Sequence, residues 1–262
     1  EHEYTLSGAD KDSFEVVDGQ LKLRDEVSAN YEVQNSYSVT VTTTDSGGLS
    51  TSKDFTVTIN DINDKPTAIN LTGSLYVNEN NTGGVVGNIS TVDEDAGDEH
   101  EYTLSGADAD YFEIVNGQLK LKDNINPVYA NQSSYNVTVT STDSGGEPIS
   151  ESYTVEVNAT PTDISLSSNS VNESSYGLSV GTIIATDPNS DDEFTYSITG
   201  GADQDYFEID SSGVLKLKDN KFADFEVDDT LTVNITVTDQ GGLSFEKTFN
   251  ISVNDLAYAT PY

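Results

Sequence analysis

Apolar and polar residues take turns along most of the chain. Segments such as YNVTVTSTD at 135–143 and VNITVTDQ at 233–240 set Val, Ile or Tyr at every second position, with Thr or Asn between them. A period of two belongs to a strand with one buried and one wet face. No long stretch repeats its apolar residues at the three-and-four spacing of a helix. Turn signals, SSG at 211–213 and QGG at 240–242, separate the runs. Over 162–255 the pattern predicts about seven strands: DISLS, VNES, VGTIIAT, FTYSIT, a hairpin within YFEIDSSGVLKLK, LTVNITVTD and FEKTFNISV. Short alternating strands at this density, with no helix among them, predict an all-β antiparallel sandwich.

The pattern also repeats. EHEYTLSGAD at 1–10 returns unchanged at 99–108, DGQLKL at 18–23 returns as NGQLKL at 116–121, and TTDSGG at 43–48 returns as STDSGG at 141–146. A more divergent third copy carries TYSITGGAD at 195–203, SGVLKL at 212–217 and VTDQGG at 237–242. Self-similarity at this period means a string of like domains. The expected division is a partial repeat at 1–64, complete repeats at 65–160 and 161–255, and a tail at 256–262. The partial repeat starts at what is the fourth strand of the others, which predicts an uncovered apolar face and open sheet edges.

Composition narrows the partners. Against 46 acidic residues stand 11 basic ones, a net charge of −35 that repels nucleic-acid phosphates and anionic lipid heads. Most of the acids are solvated surface; a patterned minority suits cation sites. With no cysteine there is neither a disulfide framework nor a thiolate metal site. No run of eighteen apolar residues predicts membrane insertion of this segment.

The patterned minority gathers at the repeat junctions. DINDKP at 61–66 resembles the linker motif Asp-x-Asn-Asp-Asn-x-Pro, one residue shorter. VNE at 77–79 and 171–173, VDED at 92–95, TDPN at 186–189, NYE at 30–32, DFE at 224–226, and the Asp before each Gly-Gly complete an ordered set. Together they resemble the bacterial cadherin-like tandem repeats over nearly the whole chain. The resemblance implies tandem seven-stranded Greek-key β-sandwiches of cadherin/immunoglobulin-like type in an elongated array, with Ca2+ bound at the junctions. Calcium takes six to eight hard oxygen ligands, and converging carboxylates repel without a cation, which agrees with that implication.

For the first junction the expected metal set is Glu32, Asp61, Asn63, Asp64, Asp93, Asp95 and Asp143. For the second, Ala130 stands where Glu32 does, Ala159 replaces the linker acid and Asn189 replaces Asp95, leaving Glu79, Asp187, Asn189 and Asp239. That set predicts a calcium-poor joint that bends more freely. Glu173, Asp224, Glu226 and Asp255 resemble the upper half of a further site.

His2 and His100 share one repeat position and read as inherited surface residues. No Gly-x-Ser-x-Gly elbow is present, and the paired carboxylates sit at domain ends rather than in a cleft, so no catalytic residues are expected. Nine Asn-x-Ser/Thr sequons permit glycosylation and show nothing more. The function expected is a non-catalytic, extracellular or cell-surface stalk or adhesive segment, with like subunits or other surface proteins as partners. The alternatives are a polysaccharide-binding module and a filament subunit that exchanges strands, the tail LAYATPY being a segment to donate.

Overall fold

In the computed structural model, which describes residues 2–256, the repeated hairpin shows how sequence sets register. Asp18 and Gly19 have φ of 52° and 77°, and Asn116 and Gly117 have 51° and 74°. Two successive left-handed residues make the type I′ turn that matches strand twist. It joins Phe14–Val17 to Gln20–Leu23, and Phe112–Val115 to Gln118–Leu121. In the third copy the loop is longer. Only Gly213 is left-handed, with φ 75°, and its N–H donates to the Asp210 carbonyl at 3.0 Å.

The described residues form strands and three short 3-10 turns, Lys11–Ser13, Ala109–Tyr111 and Gln204–Tyr206, each leading into a buried Phe. They divide into two compact units: residues up to 70 with 90–103 and 140–151, and residues 71–89 with 104–139 and from 152 onward. The tail segment proposed for donation lies outside the described residues beyond Leu256.

In the second unit, the third copy builds two four-stranded sheets. One runs Asp163–Leu166, Ser179–Thr186, Val214–Leu217, Phe207–Ile209; the other runs Ser170–Asn172, Ser244–Asn254, Thr230–Thr238, Thr195–Gly200. The same strand order recurs in the middle copy. Eight strands appear because the YFEIDSSGVLKLK hairpin supplies two, and the DISLS and VNES segments fall in different sheets. Ser170–Asn172 crosses to pair in parallel with Ser252–Asn254. Gly181 lies under that break: a Cβ there would meet the Ser168 carbonyl oxygen at 2.5 Å, so no side chain fits.

The interior is filled by the alternating apolar set. Ile164, Phe207, Leu215, Leu217, Val233, Ile235 and Ile251 are all at or below 1% exposure. Their polar alternates face outward as cross-strand pairs, for example Thr238 Oγ1 with Ser244 Oγ at 2.8 Å.

In the first unit, Glu3–Ser7, Ser36–Thr44 and Ser50–Thr58 form a three-stranded sheet beside the Phe14–Val17 and Gln20–Leu23 ribbon. Phe14, Tyr37 and Val39 are buried, with Phe14 edge-on to Tyr37 at 6.0 Å between centroids. Leu21 and Leu23 are only half-buried, whereas their counterparts Leu119, Leu121, Leu215 and Leu217 are 0% exposed. Among the described residues, no strand pairs with the outer edge of Gln20–Leu23, where Gln118–Leu121 pairs with the Val85–Val92 strand.

Burial depth sets the cost of truncation. Leu217→Ala should cost about 2–5 kcal/mol and Leu23→Ala clearly less. Urea unfolding of the two variants followed by tyrosine fluorescence checks this.

Candidate metal centres

The Asp-x-Gly-Gly turns position the central carboxylates. Asp45, Asp143 and Asp239 each use Oδ1 to accept the N–H four residues on, from Leu49, Glu147 and Leu243, at 2.7–2.9 Å. The second glycine of each pair is left-handed, with φ of 82°, 88° and 83° at Gly48, Gly146 and Gly242. At Asp143 and Asp239 this leaves Oδ2 to face the preceding linker.

The first glycine makes room for that linker. A Cβ on Gly145 would fall 2.4 Å from the Asn63 carboxamide, and one on Gly241 would fall 2.4 Å from Asn158 Nδ2 and 2.5 Å from Asn78 Oδ1. Through these notches Asn63 Nδ2 donates to Asp143 Oδ2 at 3.0 Å, and Asn158 Nδ2 donates to Asp239 Oδ2 at 2.9 Å. Gly47 has nothing closer than its own Asp45 at 3.3 Å.

The first unit contains the whole first junction. Glu32, Asp61 and Asp95 converge, with one oxygen from each within 4.8 Å of the others, and Glu32, Asp64 and Glu94 make a second such group. The Asp64 N–H donates to Asp95 Oδ2 at 2.7 Å, which ties the linker to the VDED turn. The Glu32 carboxyl is held down by its own backbone N–H, but desolvation and the charges of Asp61, Asp95 and Asp64 leave it raised. Asp64 is raised by desolvation and by Glu94, Asp95, Asp93 and Asp61. At Asp143 burial opposes ionisation, yet donors from Glu147, Asn63, Gly146 and Gly145 win and lower its pKa.

Asp93 stands apart from these groups. It meets Asp98 and His100 within 4.8 Å, and Asp93 Oδ2 lies 3.1 Å from His100 Nε2. His100 is thus no surface remnant: its side chain is 13% exposed and that of Asp93 is 4%. Sequence reasoning missed Glu94 and Asp98. Asp98 was findable, because an acid recurs five residues after the leading Asp in both copies, at 98 and at 192.

The second junction lies within the second unit, and hydrogen bonds hold its linker. Glu79 and Asn189 serve the linker backbone: Glu79 Oε1 accepts from Thr160 N–H at 2.8 Å, and Asn189 Oδ1 accepts from Ala159 N–H at 2.8 Å. Asn189 Nδ2 donates to the Val157 carbonyl at 3.0 Å, and Asn78 Nδ2 to that of Gly241 at 2.9 Å. Tyr129 Oη donates to the Pro188 carbonyl at 3.0 Å. Direct hydrogen bonds therefore fasten this linker where acids are missing.

A carboxylate cluster remains there as well. Asp187, Asp239 and the unforeseen Asp192 converge within 4.8 Å. Asp187 Oδ2 and Asp192 Oδ2 are buried and have no hydrogen-bond partner. Burial raises Asp187; the Asn189 N–H lowers it, and the charges of Asp239 and Glu79 raise it again. Burial also raises Asp192, followed by the charges of Asp187 and Asp239. Two orphaned buried carboxylate oxygens are an unmet demand for positive charge.

At the third end, Glu173, Glu226 and Asp255 converge within 4.8 Å, and Glu173 is 1% exposed. Glu173 Oε1 accepts from Leu256 N–H at 2.8 Å, and Asp224 Oδ1 accepts from Glu226 N–H at 3.1 Å. The donors at all three places are hard oxygens, with one imidazole at Asp93. These oxygen sets fit a calcium-sized ion.

Comparison with known proteins follows the same line. No family profile matches the chain. Human Protocadherin Fat 4 is 28% identical over 284 residues, covering 97% of this chain, and the mouse protein is 28% identical over 280. The chain spans 6% of the length of these curated relatives. The protocadherin gammaB7 EC3-6 cis-dimer structure is 25% identical with a TM-score of 0.50, covering 97% of this chain and 67% of that one. Extracellular cadherin domains 3–6 of protocadherin gamma B2 give 22% and 0.51, covering 97% and 66%. The fold is that of tandem extracellular β-sandwich repeats. Over nearly its whole length the chain is similar to tandem extracellular cadherin repeats.

A raised acid pKa means that the fold holds the proton more tightly than the unfolded chain does. Ionised at neutral pH without divalent cations, Asp187 and Asp192 oppose folding, and the opposition lifts as pH falls through their raised values. Asp192→Asn should therefore raise the metal-free melting temperature at neutral pH, with a gain that shrinks on acidification. In saturating calcium the same change should lower it. Calorimetric scans at several pH values check both signs.

Proposed function

We propose that the chain is a calcium-stiffened, non-catalytic adhesive or stalk segment of a larger cell-surface or secreted protein. The observation that carries this reading is the pair of orphaned carboxylate oxygens of Asp187 and Asp192 beside Asp239, together with the double convergence on Glu32. Metal would be held at the first junction by Glu32, Asp61, Asp64, Glu94 and Asp95, with Asn63 and Asp143 supporting the linker. At the second it would be held by Asp187, Asp192 and Asp239, while Glu79 and Asn189 hold the linker backbone. Glu173, Glu226 and Asp255 form the remaining set. The ion supplies the positive charge that lets these acids stay ionised together.

The repeats at 65–160 and 161–255, with the partial one at 1–64, are the units between which the ions act. Like copies of the chain are the partner class favoured by the cis-dimer described for protocadherin gammaB7. The narrower likeness to bacterial repeats rests on the residues alone, since the relatives named are human and mouse.

Calcium at one hundred times Kd should contribute about 2.7 kcal/mol per site, a melting shift of several degrees. Asp95→Asn and Asp192→Asn should each remove a separate part of that shift, and the losses should add because the sites share no ligand. Equal melting temperatures in calcium and in chelator would overturn the reading.

A further inference from the structure

We propose that Asn116 is a self-modification site, where the Gly117 backbone nitrogen displaces the side-chain amide as ammonia and leaves an aspartyl or β-aspartyl linkage in the middle copy. Asn116 is exposed at the tip of its hairpin, and among the described residues nothing hydrogen-bonds its carboxamide. Asn189, also followed by a small residue, is held at both ends: Oδ1 accepts from the Ala159 N–H at 2.8 Å, and Nδ2 donates to the Val157 carbonyl at 3.0 Å. A side chain so tied cannot turn on its own backbone.

The turn supplies the reacting conformation. Asn116 and Gly117 lie beyond the last ladder pair, Val115 with Gln118, so the peptide joining them is outside the ladder. Two-residue hairpins use type I′ or type II′ turns, and both give the first central residue a positive φ. Asn116 already has it, at 51°. Passing from the first type to the second rotates only the central peptide and carries the Asn116 ψ to about −120°. That rotation brings the Gly117 nitrogen alongside the Asn116 Cβ, within reach of the carboxamide carbon. Gly117 can follow because it has no Cβ and accepts either sign of φ. The anchor on this side of the turn, the Ile89 N–H donating to the Gly117 carbonyl at 2.8 Å, belongs to the next peptide and stays in place.

The reaction needs only water. Hydroxide removes the Gly117 N–H proton, the nitrogen bonds to Asn116 Cγ, and the carboxamide C–N bond breaks to release ammonia. Water then opens the five-membered imide. Attack at Cγ restores the ordinary backbone with an aspartate, whereas attack at the main-chain carbonyl routes the backbone through Cγ. The first product has a counterpart in the chain: Asp18 and Gly19 make the same turn at φ 52° and 77°, with Val17 opposite Gln20. The β-linked product lengthens the loop and strains the register that sets Phe112 opposite Leu121 in the core.

Mass spectrometry of the full folded chain, held at mildly alkaline pH in calcium and in chelator, tests the proposal. Asn116 should gain the mass of an amide-to-acid exchange at a rate proportional to hydroxide, no slower in calcium than in chelator, while Asn189 stays intact. Asp18→Asn, which installs the same dipeptide in the first copy, should add a second reacting site. Asn116→Asp should melt with the unaltered chain, and the β-linked fraction should melt lower. An Asn116 that stays intact, a reaction suppressed by calcium and so dependent on unfolding, or an inert Asp18→Asn turn would each overturn the proposal.

Discussion

Repulsion between carboxylates governs this molecule. Ordinary surface acids relieve it by pointing into water, but here turns and linkers prevent that. Asp143 and Asp239 are fixed by turn N–H donors and are 6% exposed, and Asp95 is pinned by the Asp64 N–H. The backbone fixes where the charges lie before any ion is considered. Cation demand is a consequence of the fold, and the chain's strong net negative charge is the composition-level trace of it.

The two junctions answer the same constraint differently. In the first, acids from the linker and from both sides of it crowd together, with Glu32 belonging to two groups at once. In the second, alanines and amides replace several of them, and hydrogen bonds made by Asn78, Asn158, Asn189 and Tyr129 carry the linker. One tight carboxylate trio survives. Both solutions are built on the same Asp-x-Gly-Gly scaffold, which is how one repeat template supports unlike joints.

Much of this was readable from the residues. Period-two alternation located the strands, and Asp-Gly and Asn-Gly located the hairpin turns, because both signals are local. The parallel pairing of Ser170–Asn172 with Ser252–Asn254 was less legible, since it depends on a close approach at Gly181 that only three dimensions reveal. The first-junction acids were found because they form dense motifs. Asp192 was passed over inside the run Asp191-Asp192-Glu193, where only the fold distinguishes a buried acid from its wet neighbours. His100 was misjudged because a strand-edge position says nothing about the Asp93 carboxylate that lies against its ring.

The glycine notches carry one more implication. Asn63 and Asn158 lodge beside Gly145 and Gly241, their amides donating to the Asp143 and Asp239 carboxylates in contacts that require no ion. Docking of the linker can therefore precede arrival of a cation. Each joint then acts as a preformed trap whose geometry is set by shape, so ion capture should proceed as a single encounter with an assembled cage rather than as a slow gathering of loose ligands.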